Sequence, residues 1–118
     1  MVLLRGDVVL AELPLTDRAG TKVRPALVVQ NDLNNRRLQD VILALVTSTM
    51  HRVKQAPTQL LIELASPDGR QSGLLRDSAV KCEHLVTLHQ GFVRRVIGHL
   101  SVNLMRQIDD CLKVSLGL

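Results

Sequence analysis

The chain has 118 residues and a mass of 13.0 kDa, a length that suits one domain of roughly 100–200 residues, so we expect a single domain over residues 1–118. Hydrophobic residues make up 46% and aromatic residues 1% of the chain, which excludes both a disordered protein and a nucleic-acid site built on aromatic stacking. The net charge of +4, with eleven arginines among the fifteen cations, favours an anionic partner such as phosphate, although +4 is also ordinary for a small domain.

The first half of the chain alternates apolar, β-branched runs with polar segments, a pattern typical of short strands and their connections. The predicted strands are residues 7–13, 25–30 and 41–47. The polar segments between them are residues 15–23, predicted as an exposed hairpin connection, and residues 31–40, predicted as a turn. The third run is apolar on both faces, which predicts a central strand covered on two sides.

The second half predicts further strands and one helix. The predicted strands are residues 59–64, 78–82 and 85–89, the last two separated near Glu83 and His84, and a turn is predicted at residues 66–70. Residues 93–100 remain open between strand and helix.

The C-terminal segment has the pattern of an amphipathic helix. Ser101 can cap it, Gly117 can end it, and apolar residues recur at intervals of three and four, namely Leu104, Met105, Ile108, Cys111 and Leu112. The sequence therefore predicts an α+β fold: a small barrel or strongly curled antiparallel sheet with a C-terminal helix against it.

Export, membrane and metal signals are weak. The longest apolar stretch, residues 41–46, is far shorter than the roughly 20 residues of a membrane span, so we expect a cytoplasmic protein with no membrane partner. Cys82 and Cys111 are predicted to be buried thiols. The glycine motifs of nucleotide sites and esterases do not occur, and the histidines lack metal-ligand spacing, so no cofactor or metal is expected.

Several polar residues stand at predicted strand ends. Arg24 directly precedes Pro25, which favours extended geometry at Arg24. Thr47 and Ser48 end the most apolar strand, and the alternation of Lys81 and Glu83 places both on one face of a strand. Each of these residues alone is typical of a solvated strand end.

Together these residues occur in a pattern that resembles the MazF/PemK toxins of type II toxin–antitoxin systems. The resemblance runs from Arg5 to Leu118 and rests on five segments: Arg5-Gly6-Asp7-Val8-Val9, residues 24–32 (R-P-A-L-V-V-Q-N-D), Val46-Thr47-Ser48, Asp77-Ser78 leading to Thr87, and Ile97-Gly98-His99-Leu100.

The resemblance implies a homodimeric, SH3-like β-barrel toxin that cleaves single-stranded RNA at specific sequences without metal and is neutralised by a cognate antitoxin. Its arginine and threonine correspond to Arg24 and Thr47, which would donate to the phosphoryl oxygens of the transition state. Glu83 is the candidate base, and Lys81 is the candidate acid or charge stabiliser. The toxin–antitoxin complex is a candidate to bind operator DNA.

Substrate contacts are assigned to Ser48, to Asp17 and Lys22 around the first loop, and to His84. Asp17 corresponds only approximately to an acidic residue of some members, and Lys81 replaces an arginine, which removes a bidentate fork. Because aromatic residues are missing, His84, His51 or arginine guanidiniums would have to stack on bases.

Two functions of other classes remain open. One is a protein-targeting inhibitor on the same fold, similar to the gyrase poisons related to these toxins. The other is a basic nucleic-acid-binding module without catalytic activity, for which phosphate contacts alone would give salt-sensitive binding and no product.

Overall fold

The computed structural model describes residues 1–15, 17–49 and 56–118. In chain order, the strands and helices are β1 (Asp7–Pro14), β2 (Thr21–Val28), α1 (Asp32–Arg37), β3 (Asp40–Thr47), β4 (Gln59–Ile62), α2 (Pro67–Arg70), β5 (Ser78–His89), a 3-10 turn (Gln90–Phe92), β6 (Val93–His99) and α3 (Val102–Leu116). None of the helices in the described part of the chain is long and apolar enough to cross a membrane.

The strands form one antiparallel sheet in the order β4-β5-β3-β2-β1-β6. One face packs against α3 through residues such as Val8, Leu27 and Ile108. The other face carries a second cluster, with Val9, Val28 and Leu43 among its members. The predicted α+β class with a curled sheet and a C-terminal helix is therefore confirmed, and within the described residues β4 and β6 remain the two edges of the sheet.

The second strand differs from its prediction at both ends. We expected a strand over residues 25–30 beginning at Pro25, whereas β2 spans Thr21–Val28 and contains Pro25 in its interior. The first connection is correspondingly shorter than predicted, because Pro14 already pairs with Thr21. The long pairing with β1, invisible to local propensity, extends β2 through polar residues.

Two segments predicted as turns contain short helices. Asn31 caps α1 by accepting a hydrogen bond from the Asn34 N–H at 2.8 Å, and Ser66 caps α2 in the same way at Gly69. In both cases an Asn or Ser that can start a turn also satisfies the free N–H groups of a first helical turn.

The predicted separation of residues 78–82 from 85–89 is wrong, because β5 is one strand from Ser78 to His89. Its pairing with β3 shifts register there: Leu45 pairs with Lys81, whereas Ala44 pairs with Leu85. The intervening residues form a bulge, which explains why the alternation of the sequence breaks at this point. The open segment 93–100 contains strand β6.

The C-terminal helix is confirmed. Ser101 accepts a hydrogen bond from the Leu104 N–H at 3.2 Å, and Gly117 ends the helix in the left-handed region. Leu104, Ile108 and Cys111 are buried. Cys82 is buried too, and both cysteines are free, as predicted.

Candidate active site

A split between β2 and β3 creates the main cavity. The two strands pair from Val28–Leu43 to Ala26–Leu45, and the described pairing stops there, while β2 continues along β1. Pro25 lies directly at the split and has no N–H to contribute to a ladder. A cavity of about 580 Å³ lies here, lined by Pro25 and Val46 among others.

Arg24, Thr47 and Ser48 line this cavity together. If the β2–β3 register continued two residues beyond Ala26–Leu45, Arg24 would face Thr47. Separation of the strands at this point instead leaves room between them for a ligand. Arg24 and Ser48 are exposed and Thr47 is half-buried, so all three can reach an incoming group.

The hydroxyl of Thr47 has a defined role in local hydrogen bonding. Its Oγ1 accepts a hydrogen bond from the Thr49 N–H at 3.1 Å. A hydroxyl that accepts from a backbone N–H still has its own hydrogen to donate. Thr47 can therefore donate to an acceptor in the cavity.

Two further arginines line the same cavity, and neither was among the predicted site residues. They are Arg76, directly before the Asp77-Ser78 segment, and Arg95 on β6. Within the described ranges, no carboxylate forms an ion pair with Arg24, Arg76 or Arg95, whereas Arg5 and Arg94 are paired with Asp109 and Glu12, respectively. Arg76 could have been predicted from its position directly before the Asp77-Ser78 motif. Arg95 could not, because the sequence leaves residues 93–100 open between strand and helix.

Lys81 lies near the cavity without lining it. It pairs with Leu45, so it shares a face of the sheet with Thr47 and is its diagonal neighbour across β3 and β5. Diagonal neighbours of this kind are separated by about 7–8 Å, a distance that a lysine side chain can span. The structure thus brings Lys81 close to Thr47 along the sheet.

Glu83 lies in the bulge of β5 and is exposed. Its carboxylate accepts hydrogen bonds from Thr58 Oγ1 at 3.1 Å and from Gln59 Nε2 at 2.6 Å. Partial burial alone would raise the pKa of Glu83. The bonds from Gln59, from its own backbone and from Thr58, together with the charge of Lys81, outweigh that effect and hold the pKa below its usual value.

The remaining predicted contacts do not line the cavity. Asp17 is exposed in the first loop, and Lys22 is exposed on β2, on the same face as Arg24. His84 is half-buried in the bulge. His51 lies outside the described residues.

The Arg5-Gly6-Asp7 segment and His99 meet away from the cavity. Arg5 donates to the carbonyl of Val29 at 2.8 Å and to Asp109 at 2.7 Å, while Asp7 Oδ1 lies 2.9 Å from His99 Nδ1. These contacts join the start of β1 to the end of β6 and to α3. This part of the sequence pattern therefore positions structural elements.

Fold and cavity together define a small curled-sheet protein with an arginine-lined cleft suited to a phosphodiester chain. A sequence model described as the PemK-like, MazF-like toxin of type II toxin–antitoxin systems matches residues 4–116. The chain belongs to this family.

Individual relatives agree with this assignment. The chain is 34% identical over 119 residues to endoribonuclease EndoA of Bacillus subtilis (strain 168), covering 100% of this chain and 97% of EndoA. A mycobacterial endoribonuclease solved in complex with its cognate antitoxin superposes with a TM-score of 0.78 at 25% identity, covering 98% of this chain and 96% of that one. The MazE–MazF structure (Form-III) from Deinococcus radiodurans has a TM-score of 0.76 at 19% identity, covering 100% and 99%, and shares the fold.

Proposed function

We propose that this toxin is an endoribonuclease that cleaves single-stranded RNA at specific sequences without a metal ion. The observation that carries the proposal is the joint placement of the exposed Arg24 and the hydroxyl donor Thr47 in one arginine-lined cavity. The similarity to EndoA, an endoribonuclease by name, supports the same activity.

Cleavage by the ribose 2′-OH requires three things: a base, stabilisation of a dianionic pentacoordinate phosphorus, and an acid for the departing 5′-oxygen. The guanidinium of Arg24 presents two parallel donors for the non-bridging oxygens. Thr47 supplies one further donor. Arg24 and Thr47 thus stabilise the charge that develops in the transition state.

Proton transfer is assigned to Glu83 and Lys81. Glu83 has a pKa below its usual value and is therefore ionised near neutral pH, as a base must be. The same shift makes it a weaker base than an unperturbed glutamate. Lys81, the diagonal neighbour of Thr47, stabilises charge or delivers the proton to the leaving oxygen. Ser48, Asp17, Lys22 and His84 contact nucleotides beyond the cleaved bond.

The decisive experiment incubates the protein with a long single-stranded RNA in EDTA and compares it with Arg24→Ala and Arg106→Ala. Arg106 is exposed on α3 and outside the main cavity, so Arg106→Ala controls for loss of one positive charge. We expect Arg24→Ala to lose about 100-fold or more in rate, on the order of 3 kcal/mol of transition-state stabilisation. Absence of cleavage by the unmodified protein above the level of Arg24→Ala, across varied sequences, would overturn the proposal.

The partners of the toxin follow from the same surface. A cognate antitoxin with an extended segment that combines carboxylates and apolar side chains fits a cavity lined by arginines and aliphatic residues. The mycobacterial relative was solved in complex with its cognate antitoxin. We further propose that the toxin is a homodimer and that its complex with the antitoxin binds operator DNA, with the net charge of +4 as support for the latter.

A further inference from the structure

Leu75 is the most exposed large apolar side chain of the described residues, with 94% of its surface accessible. It lies on the wall of the main cavity, and its chain neighbour Leu74 lines the cavity while also packing against the hydrophobic core. Val96 on β6, 39% exposed, lines the same cavity. An aliphatic surface thus faces solvent beside Arg24 and Thr47.

The exposure of Leu75 is built into the fold, because the segment around it is held against β6. A Cβ on Gly73 would overlap the carbonyl of Ile97, and one on Gly98 would overlap the backbone of Ser72. The His99 N–H donates to the carbonyl of Gln71 at 2.8 Å. Backbone contacts this close fix the position of the segment.

Further hydrogen bonds hold both ends of the segment that carries Leu75, residues 72–77. The buried hydroxyl of Ser72 donates to the carbonyl of Gly69 at 2.6 Å and accepts from the Leu74 N–H at 3.2 Å. Asp77 accepts from the Leu64 N–H at 2.8 Å. Leu75 is therefore presented to the cavity by a pre-organised segment, which lowers the entropy cost of binding a ligand there.

The charges beside the aliphatic surface indicate which class of ligand binds there. Arg76 and Arg95 line the same cavity as Leu75 and Val96, so two arginines and two exposed aliphatic residues share its wall. Neither guanidinium is paired with a carboxylate in the described ranges. A ligand that combines flat apolar faces with phosphates matches a wall of this composition, and a single-stranded polynucleotide has both groups in every repeat.

We propose that Leu75 and Val96 form an aliphatic platform for one unpaired base beside the cleaved bond, and that Arg76 and Arg95 bind the phosphates flanking that base. The inference rests on the proposed endoribonuclease activity and extends it to substrate positioning. The platform takes the place of the missing aromatic residues. Aliphatic side chains cover the face of the base, and the guanidiniums neutralise the phosphates of the RNA backbone. Leu75 is thus a positioning residue, whereas Arg24 and Thr47 act at the reacting phosphate.

The test uses the full-length protein and a short oligoribonucleotide that spans a cleavage site mapped on a long RNA. We expect Leu75→Ala to raise KM about fivefold with kcat within about twofold, because it removes apolar contact made equally in ground and transition states. Leu116→Ala, at an exposed position on α3, should leave both constants unchanged. Replacing the platform by an aromatic ring, Leu75→Tyr, should lower KM about fivefold or more, because aromatic rings stack on bases.

A second arm removes the base instead of the side chain. Oligonucleotides with one abasic nucleotide at successive positions around the cleaved bond should include one position where base removal raises KM in the unmodified protein and adds nothing in Leu75→Ala. Arg76→Ala and Arg95→Ala should each reduce the slope of log Kd against log salt by about 0.7, the value for one phosphate of a single strand, whereas Arg106→Ala should not.

The outcomes separate this inference from the function on which it rests. If the unmodified protein cleaves no RNA, the proposed activity itself fails. If cleavage is normal and Leu75→Ala, Leu75→Tyr and the abasic series all leave KM unchanged, the platform is wrong while the activity stands. A loss confined to kcat, or a loss of binding to an antitoxin peptide without any change in RNA kinetics, would also overturn the platform.

Discussion

At the scale of single residues, the hydrogen bonds of Glu83 control its acidity. The Gln59 bond at 2.6 Å favours the charged carboxylate, so its removal in Gln59→Ala should raise the pKa of Glu83 towards the ordinary value. Titration of the Glu83 side-chain carboxyl by NMR measures this directly. If Glu83 is the base, the acidic limb of kcat/KM should move to higher pH by the same amount.

Gln107→Ala, on the exposed part of α3, is the matched control and should change neither titration. The sign for stability follows from the lowered pKa: Glu83 stabilises the fold above its unfolded-state pKa, and this small contribution is lost as pH falls through the folded-state pKa. A pH–rate limb that stays fixed while the NMR pKa moves would remove Glu83 from the role of base.

The two thiols provide a second prediction at this scale. Burial, followed by the neighbouring Cys111 and Glu83, raises the pKa of Cys82 to about 12, and burial raises the pKa of Cys111. At about pH 8 the thiolate fraction of Cys82 is on the order of one in ten thousand. We therefore expect no labelling of the folded protein by a thiol-reactive disulfide reagent and labelling of both residues after unfolding. Rapid labelling of either cysteine in the folded protein would contradict the packed interface between β5 and α3.

At the scale of elements, the N-terminus of α3 depends on one side chain. Ser101 accepts a hydrogen bond from the Leu104 N–H, one of the donors that a first helical turn leaves unpaired. We expect Ser101→Ala to lower the free energy of unfolding by about 1 kcal/mol and Ser101→Asp to preserve it, measured by chemical denaturation. Gln107→Ala, at an exposed position further along α3, serves as control. Equal stability of Ser101→Ala and the unmodified protein would contradict the cap.

Local pattern was sufficient for those elements whose stability is local or whose apolar run is long. The spacing of Leu104, Ile108 and Cys111 predicts α3, and the apolar residues on both faces of β3 predict a central strand. Local sequence pattern is not sufficient where pairing between strands decides the structure. The start of β2 is polar and is a strand because β1 pairs with it, and the bulge of β5 looked like a gap because it interrupts alternation.

The residues that line the cavity likewise divide into those that local sequence segments predict and those that only long-range contacts bring there. Arg24, Thr47 and Ser48 stand in segments that resemble a family, and these residues do line one cavity. Arg95 and Leu75 reach it from β6 and from the segment before β5, through contacts between residues far apart in the chain. The spacing of residues in the sequence therefore does not predict that Arg95 and Leu75 line the same cavity.

At the scale of the whole molecule, several large aliphatic side chains of the described residues are exposed to solvent. The Arg5 N–H donates to Asp32 Oδ1 at 2.6 Å, which brings the N-terminal segment against the start of α1. Met1 and Val2 in this segment and Leu33 in α1 are exposed by 69%, 71% and 65%. We call these three residues the N-terminal patch. Exposed apolar surface of sufficient area marks contact sites between proteins, and these residues are the candidates tested below.

The proposed homodimer predicts a mass twice 13.0 kDa in sedimentation equilibrium. If the N-terminal patch contributes to the contact, Leu33→Glu should shift the equilibrium towards monomer, because a carboxylate loses its hydration when it is buried without a partner. Leu116→Glu places the same charge at an exposed position on α3 and should leave the mass unchanged. A mass of 13.0 kDa at every concentration would contradict the dimer, whereas dissociation by Leu116→Glu alone would place its contact on α3 rather than on the N-terminal patch.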